Sequence, residues 1–262
     1  MAFAKLDNIE MYYAVRGKGP PVVLIAGYTC DHAFWDGVSP ALSDRFQVVV
    51  FDNRGVGRTK DDGRPISVEL MARDTAALIQ HLQLPRPTVV GQSMGGAIVQ
   101  TMLASFPDAC RRCAIVNSTQ AFATVATKAL KSLLALREAD IDFDLLVETS
   151  LPWFAGSAWL SVPENIAGFK AALSGNPIPQ SIADQRRQLL AIEQFDARGW
   201  TAPWREQGIV ISATEDALAP PRDGRKLAEH TGARFIEIPG GHGSPMEQAP
   251  ELARLLIEFL QH

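Results

Sequence analysis

Cysteine is scarce in this sequence, and its three cysteines form no pattern typical of a metal site. Cys30, Cys110 and Cys113 are an odd set without partners at a recognised metal-site spacing. Cys110 and Cys113 do have the C-x-x-C spacing of redox sites. However, Cys113 opens an apolar run typical of a buried strand, and the pair follows a predicted helix instead of starting one. We therefore expect reduced thiols without a redox role, no bound metal and a cytoplasmic location.

The sequence also lacks features that direct a chain to a membrane or to nucleic acid. Its first residues, MAFAKLD, have neither the basic segment nor the long apolar segment of a secretory signal. No apolar run approaches the roughly 20 residues needed to span a bilayer. The net charge of −4 provides no basic footprint for nucleic acid. We expect a small-molecule substrate as the partner, with no nucleic acid and no membrane, and the sequence leaves the oligomeric state open.

What the chain does contain is an alternation of short β-branched runs with longer helical stretches. The runs that predict strands are Val22–Ala26, Val48–Phe51, Thr88–Val90, Ala114–Val116, Ile209–Ile211 and Phe235–Ile238. Most are continuously apolar, which is typical of strands buried on both faces of a parallel sheet. The more alternating segment Ile9–Arg16 is predicted as an antiparallel edge strand. The pattern predicts one α/β domain with a mostly parallel central sheet flanked by helices.

This alternation stops between about residues 118 and 200, where the sequence predicts helices and no strand. A helical cap inserted between two core strands would explain the stretch, with residues 1–117 and 201–262 forming the core and 118–200 the cap. Three aromatic residues of the insertion are candidates for the walls of a substrate pocket: Trp153, Phe154 and Trp159. The competing interpretation is that these side chains only pack the cap.

A glycine-rich segment at the end of one predicted strand carries the first candidate for chemistry. Gly91-Gln92-Ser93-Met94-Gly95 fits the pattern G-x-S-x-G, between the strand at 88–90 and a predicted helix at 97–105. Such a strand-to-helix turn is strained and crowded, so that small residues such as Gly91 and Gly95 are required on either side of the serine. We therefore predict Ser93 as a nucleophile above the carboxyl end of the sheet. The alternative is a glycine-rich turn with an incidental serine.

A serine hydroxyl becomes a nucleophile only when a base removes its proton, and His242 is the best-placed histidine for that role. It lies in the segment PGGHG at 239–243, directly after the last predicted strand, where glycines let the loop reach over the sheet edge. The remaining histidines lie late in helical stretches, at the last residue, or on a loop before the serine: His81, His230, His262 and His32. We therefore predict His242 as the general base.

The base needs a carboxylate that orients its ring and stabilises its charged form. Asp216 follows the strand at 209–211 and precedes a proline-initiated helix, at the carboxyl end of the strand before the histidine's strand. Glu215 is its immediate competitor. Asn117 occupies a similar place after another strand but carries no charge. The predicted catalytic set is therefore Ser93, Asp216 and His242.

Backbone amides are the candidate donors for the negative charge that develops on a substrate carbonyl. The N–H of Met94 directly follows the nucleophile. A second donor is expected on the loop after the strand at 22–26, where we nominate the N–H of Tyr28. Gly27 is informative because a glycine at that position allows the backbone to approach closely.

With these residues in place, the sequence resembles the α/β-hydrolase superfamily over nearly its whole length. The resemblance is carried by GQSMGG at 91–96, by Asp216 with Pro220 and by Gly241-His242, in the family's chain order of serine, acid and histidine. The segment FDNRGVGRT at 51–59 looks like the family's D-x-R-G-x-G-x-S segment, which is structural there. Ala26 replaces the histidine of the family's usual His-Gly pair, which leaves open how the loop at Tyr28 is braced.

Within the superfamily the sequence looks most similar to the small carboxylesterase and 3-oxoadipate enol-lactonase branch, through Trp35 and Asn117-Ser118-Thr119. The resemblance implies acyl transfer from a small to medium carboxylic ester or lactone through an acyl-enzyme on Ser93, with no cofactor. A serine at the elbow points away from haloalkane dehalogenation, for which the family uses aspartate. Two alternatives remain: C–C bond hydrolysis of a dienone or β-diketone by the same triad, and a ligand-binding regulatory protein on the same fold.

Overall fold

The computed structural model describes residues 2–200, 204 and 207–261, and within them a nine-stranded sheet forms the centre of the fold. The strands are β1 (Ala2–Leu6), β2 (Ile9–Arg16), β3 (Pro21–Ile25), β4 (Gln47–Phe51), β5 (Lys60–Asp61), β6 (Thr88–Gln92), β7 (Arg112–Val116), β8 (Gly208–Ala213) and β9 (Arg234–Ile238). Their order is β1-β2-β4-β3-β6-β7-β8-β9, with β5 beside β2. From β4 to β9 all neighbours are parallel. The predicted mostly parallel α/β sheet is confirmed, and each of the six apolar runs is a strand.

The antiparallel strand at Ile9–Arg16 is confirmed, but its predicted place at the edge is wrong. This strand, β2, pairs with β4 on one side and with β1 on the other, so that β1 is the outer strand. In β1 only Ala4 is buried. A five-residue strand with one buried side chain has too little apolar patterning to be recognised from sequence.

Helices cover both faces of the sheet. They are α1 (Ser39–Ser43), α2 (Val68–His81), α3 (Met94–Ser105), α4 (Thr124–Glu138), α5 (Phe143–Phe154), α6 (Ser157–Leu160), α7 (Pro163–Ser174), α8 (Ile182–Gln194), α9 (Pro221–Thr231), α10 (Ser244–Glu247) and α11 (Ala249–Gln261). None of the helices in the described ranges combines the length and apolar character needed to cross a membrane.

Continuous apolar strands produce two cores because successive side chains point to opposite faces of a sheet. Val23 and Val89 belong to the core that includes buried residues of α2 and α3. Their neighbours Val22 and Val90 belong to the core that includes buried residues of α1 and α11. The sheet is therefore covered on both faces. Candidate functional side chains are accordingly expected on the loops at the ends of the strands.

Five consecutive helices, α4 to α8, lie between β7 and β8, and we call them the helical insertion. They occupy residues 124–194, inside the range 118–200 predicted for a cap, and no strand interrupts that range in the described structure. The boundary between cap and core stays a prediction. The second core segment is predicted to begin at residue 201, and residues 201–203, 205 and 206 lie outside the described residues.

Candidate active site

Ser93 stands at the sharp turn that joins β6 to α3. Its φ of 55° and ψ of −118° are a conformation that residues with side chains rarely adopt. Two glycines make room for the turn. A Cβ atom on Gly91 would lie 2.2 Å from the Gly95 carbonyl oxygen, and one on Gly95 would lie 2.2 Å from the Ile25 carbonyl oxygen. The structure therefore contains a strained strand-to-helix turn at the G-x-S-x-G segment, with the serine at its apex.

His242 and Asp216 form a line of hydrogen bonds with Ser93. Ser93 Oγ lies 2.8 Å from His242 Nε2, and His242 Nδ1 lies 2.8 Å from Asp216 Oδ2. All three side chains are buried. Asp216 Oδ1 accepts the backbone N–H groups of Leu218 and Ala219, each at 2.8 Å, which fixes the orientation of the carboxylate. This geometry allows the imidazole to accept the serine proton at Nε2 while Nδ1–H donates to the carboxylate.

Glu215, the competing carboxylate, has a different partner. It accepts hydrogen bonds from the backbone N–H and the hydroxyl group of Ser157, at the start of α6. These hydrogen bonds lower the pKa of Glu215. Glu215 therefore ties the helical insertion to the sheet edge, and Asp216 is the carboxylate that contacts His242.

Two buried amide side chains hold the loop that carries His242, and the sequence analysis missed both. Asn117 Nδ2 donates to the His242 carbonyl oxygen at 2.9 Å and to Ser244 Oγ at 2.8 Å, while its Oδ1 accepts the Ala213 N–H at 2.9 Å. Gln92 Nε2 donates to the same His242 carbonyl oxygen at 3.0 Å. Asn117 has no charge, which excludes it as the carboxylate. Its place directly after an apolar strand is nevertheless a signal for a positioning role.

The two nominated amide donors lie on backbone segments that flank Ser93. Met94 is the first residue of α3. The loop Gly27–Cys30 closes with the Cys30 N–H donating to the Gly27 carbonyl oxygen at 3.3 Å, and we call it the oxyanion loop after the role nominated for it from the sequence. A Cβ atom on Gly27 would lie 3.1 Å from Ser93 Cβ, so the loop passes directly beside the serine. In the described part of the chain, neither the Tyr28 N–H nor the Met94 N–H has a hydrogen-bond acceptor.

A cavity opens beside Ser93 and His242. Its apolar lining residues are Phe34, Phe122, Ala126, Leu130, Phe154 and Leu218. Of the three aromatic residues predicted to line a pocket, Phe154 does so, and its ring centroid lies 6.2 Å from that of His242. The cavity is therefore walled by both the core and the helical insertion.

Trp153 and Trp159 do not line this cavity, contrary to the expectation from sequence. Trp153 packs against the core beneath the helical insertion. Trp159 packs edge-to-face against Phe169, with ring centroids 6.3 Å apart. Successive residues on a helix point about 100° apart, so that Trp153 and Phe154 necessarily face different directions. Sequence alone does not determine which of the two faces the site.

The cavity wall is mostly apolar. No Lys, Arg, Asp or Glu is found among the described residues that line it. Burial raises the pKa of the Tyr28 phenol, and it raises the pKa of the Cys30 thiol to about 12. Both groups line the cavity and remain neutral at physiological pH.

The segment at 51–59 supports the loops around the site without touching Ser93. Arg54 is fully buried and donates two hydrogen bonds of 2.8 Å to Asp74. Asp52 Oδ1 accepts the backbone N–H of His32 at 2.8 Å and lies 2.7 Å from His32 Nδ1. The hydrogen bond to Asp52 raises the pKa of His32.

One group of side chains in the described structure has donor atoms close enough together to hold a cation. Ligand atoms of Asp31, His32 and Asp52 all lie within 4.8 Å of one another. These side chains already serve as partners for one another and for the backbone, since Asp31 Oδ1 accepts the Ala33 N–H at 2.9 Å and Asp52 Oδ2 accepts the Arg58 N–H at 2.7 Å. We interpret the group as an anchor for two loops.

Cys110 and Cys113 are free and buried. Burial raises the pKa of Cys110 to about 11 and that of Cys113 well above the ordinary thiol value. A C-x-x-C redox site requires a thiolate. Burial therefore disfavours the thiolate at both positions, and the absence of a redox role stays a prediction.

Comparison with protein families matches residues 20–249 to the alpha/beta hydrolase fold family. A relative assigned as the carbamate hydrolase RutD, from Azorhizobium caulinodans, is 29% identical over 92% of this chain and 91% of its own length. The pyrrolizixenacetamide deacetylase of Xenorhabdus hominickii is 25% identical over 98% of this chain and 96% of its own length. Both relatives are thus similar to the chain from end to end.

Solved structures show the same architecture. A protein assigned as the non-heme bromoperoxidase BpoC, from Mycobacterium tuberculosis, superposes with a TM-score of 0.84 and 25% identity over 96% of each chain. The enol-lactonase from Burkholderia xenovorans superposes with a TM-score of 0.84 and 24% identity over 99% of this chain and 100% of its own, a likeness of fold. Since the family match spans most of its length, the chain belongs to the α/β-hydrolase fold family.

Proposed function

We propose that the protein is a serine hydrolase that cleaves a small to medium, uncharged carboxylic ester or lactone through an acyl-enzyme on Ser93. The observation that carries the proposal is the buried line from Ser93 through His242 to Asp216, with both distances at 2.8 Å, beside an apolar cavity. A nucleophile, a base and an orienting carboxylate within hydrogen-bond reach are the signature of covalent acyl transfer. Membership of a hydrolase family supports the same conclusion.

In the acylation step, His242 Nε2 takes the Ser93 proton as Ser93 Oγ attacks the carbonyl carbon. The negative charge that develops on the carbonyl oxygen is stabilised by the N–H groups of Met94 and Tyr28. Asp216 holds the imidazole in the required tautomer and stabilises its charged form. The tetrahedral intermediate then breaks its bond to the leaving oxygen, which receives the proton from His242. The product alcohol departs and the acyl group stays on Ser93.

In the deacylation step, water takes the place of the alcohol. His242 removes a proton from the water as its oxygen attacks the acyl-enzyme carbonyl, and the same two amides stabilise the intermediate. The proton returns from His242 to Ser93 Oγ as the acyl bond breaks. The second product is a carboxylic acid, and in a lactone both products are the two ends of one hydroxy acid.

The cavity supports the choice of an uncharged substrate. Burying a charge in an apolar pocket is costly unless an opposite charge or several hydrogen bonds compensate it. Among the described residues that line the cavity, no Lys or Arg is present to pair with a carboxylate on the substrate.

A second candidate substrate has its acyl carbon bonded to nitrogen. Two relatives, one assigned as a carbamate hydrolase and the other a deacetylase, favour it. The same attack, oxyanion and proton return would cleave such a bond. The C–C hydrolase and ligand-receptor alternatives remain, and turnover of simple esters would count against the receptor.

Hydrolysis of p-nitrophenyl esters from acetyl to octanoyl tests the proposal. We expect turnover with a preference among the shorter chains, and a loss of about a thousandfold or more in kcat/KM in Ser93→Ala. Ser132→Ala is the matched control because Ser132 is an exposed serine on α4. Turnover that survives in Ser93→Ala would refute Ser93 as the nucleophile. If wild-type protein hydrolyses none of the esters and no matched amide or carbamate, the result would favour the alternative of a ligand-binding regulatory protein.

A further inference from the structure

A buried glutamine of the helical insertion, Gln188 on α8, lies in hydrogen-bond contact with the oxyanion loop. Its side-chain oxygen Oε1 accepts the backbone N–H of Thr29 at 3.2 Å and the Nε2 group of Gln180 at 3.0 Å. Its Nε2 donates to the Arg54 carbonyl oxygen at 2.8 Å. The side chain is fully buried. Gln188 therefore connects the insertion to two separate loops of the core.

Thr29 is the residue of the oxyanion loop that most needs support. Its φ of 65° is in the left-handed region, which is unfavourable for a β-branched residue. A left-handed third residue and the hydrogen bond from Cys30 to Gly27 fit a type II turn, in which glycine or asparagine is the usual third residue. Such a conformation persists only where neighbouring groups fix it. The acceptor on Gln188 is the group that holds the Thr29 N–H in this structure.

The core supports the start of the loop, where Asn53 Nδ2 donates to the Ala26 carbonyl oxygen at 3.1 Å. Ala26, which precedes Gly27, ends in a methyl group and donates no side-chain hydrogen bond. Cys30 and Tyr28 line the cavity. The hydrogen bond to the Thr29 N–H, on the residue after Tyr28, comes instead from the insertion, across a sequence separation of 159 residues between Thr29 and Gln188.

We propose that Gln188 is a positioning residue, which holds Thr29 in its left-handed conformation and thereby aims the Tyr28 N–H at the oxyanion. This inference rests on the proposed function, in which that amide stabilises the tetrahedral intermediate. Because the oxyanion is fully formed only near the transition state, the contact should matter for kcat and much less for substrate binding. Docking of the helical insertion thereby becomes a condition for catalysis.

The first test compares Gln188→Met with wild-type protein on p-nitrophenyl butyrate. Methionine has a similar shape but provides neither the acceptor nor the donor. We expect kcat to fall by about 10- to 100-fold with KM within about twofold, and the affinity for an alkyl boronic acid, which mimics the tetrahedral intermediate, to fall with kcat. Gln194→Met is the control, since Gln194 is an exposed glutamine at the end of the same helix, α8. It should keep both values within about twofold.

The second test is rescue by glycine at position 29, because glycine adopts a φ of 65° without strain. The loss of kcat that Gln188→Met causes in wild-type protein should be much smaller when the same substitution is made in Thr29→Gly. The double variant should therefore have a kcat close to that of Thr29→Gly alone. A purely structural role for Gln188 would not be rescued in this way, since Thr29→Gly restores no contact between the insertion and the core. The melting temperature of each variant separates unfolding from mispositioning.

Three results would overturn the inference. They are an unchanged kcat in Gln188→Met, a rise in KM with kcat unchanged, and a fall in kcat that Thr29→Gly does not reverse. Any of these leaves the proposed function standing, provided that wild-type protein hydrolyses the ester and Ser93→Ala does not. If wild-type protein hydrolyses no ester, amide or carbamate, both the proposed function and this inference are refuted.

Discussion

At the scale of single residues, the site depends on which of two adjacent carboxylates faces His242. Asp216 lies 2.8 Å from His242 Nδ1 and is buried, whereas Glu215 points to Ser157 of the helical insertion. The two residues have the same charge and are neighbours in the chain. Only the direction in which the loop after β8 leaves the sheet separates their roles.

Asp216→Asn should lower kcat by about 10⁴-fold while leaving the fold intact. An amide at this position favours the wrong imidazole tautomer and no longer stabilises the charged form of His242. Glu215→Gln is the matched control and should keep kcat within about threefold, because Glu215 accepts hydrogen bonds from Ser157 and not from His242. Steady-state kinetics on p-nitrophenyl butyrate measure both. Equal losses in the two variants would contradict the assignment.

We expect His32 to make the stability of the protein depend on pH. Its hydrogen bond to Asp52 raises the pKa of His32 above the ordinary value of 6.5. A raised folded-state pKa contributes stability that is fully present below pH 6.5 and is lost as the pH rises through the higher folded value. We therefore expect the free energy of unfolding, measured in urea, to fall over that range in wild-type protein.

His32→Asn should flatten this pH dependence, because the asparagine amide can still donate to Asp52 but does not titrate. His81→Asn is the matched control, an exposed histidine at the end of α2, and should keep the wild-type slope. The measurement is urea unfolding at about pH 6 and about pH 8.5. An identical slope in His32→Asn and wild-type protein would exclude His32 as the source.

At the scale of elements, the junction of β6 and α3 tolerates no side chain at its glycines. Gly95→Ala places a Cβ atom against the Ile25 carbonyl oxygen, so α3 must move away from β3. We expect a loss of about 3 kcal/mol or more in the free energy of unfolding. Gly168→Ala, on the exposed face of α7 with open space around its Cβ position, should instead gain about 0.5–1 kcal/mol. Urea unfolding measures both, and equal stability of Gly95→Ala and wild-type protein would contradict the crowded turn.

The wall that the helical insertion contributes should limit the acyl chain. Phe154→Ala removes an aromatic side chain from the cavity and should raise the ratio of kcat/KM for octanoyl over butanoyl esters by about tenfold. Trp159→Ala is the matched control because Trp159 packs on Phe169, away from the cavity. A shift in the Trp159 variant but not in the Phe154 variant would mean that the substrate lies elsewhere.

The parallel strands were predictable because they are continuously apolar, and the strand-to-helix turn at Ser93 was predictable because crowding requires glycines there. The same local signals place His242 after the last strand and Asp216 after the one before it. Gln188 was not predictable in this way. Nothing in its own helix marks it, since its role comes from a contact that forms only when α8 packs on the core.

At the scale of the whole molecule, the cavity is lined both by the α/β core and by the segment between β7 and β8. Phe34 and Leu218 come from the core, whereas Phe122 and Leu130 come from the segment between β7 and β8. The family and the chain order of the candidate catalytic residues could be predicted from the sequence, but not which side chains of the insertion face them. That Trp153 and Trp159 lie outside the cavity could not be predicted, since a helical pattern does not say how helices are rotated on the core.

The uncharged cavity predicts a preference that matched substrates can measure. p-Nitrophenyl hexanoate and the mono-p-nitrophenyl ester of adipic acid have acyl chains of the same length, and the second ends in a carboxylate. We expect kcat/KM to be at least about 100-fold lower for the charged ester, because the described residues lining the cavity offer no cation to pair with it. Equal values would show that the acyl group binds outside this cavity.

The central claim is that Ser93 is the nucleophile, and the site of reaction with a fluorophosphonate measures it most directly. Such a probe phosphonylates an activated serine with loss of fluoride, and the modified peptide is located by mass spectrometry. We predict one adduct per chain, on Ser93, with no adduct in Ser93→Ala and slow labelling in Asp216→Asn. An adduct on any other serine, or wild-type protein that stays unmodified, would contradict the account.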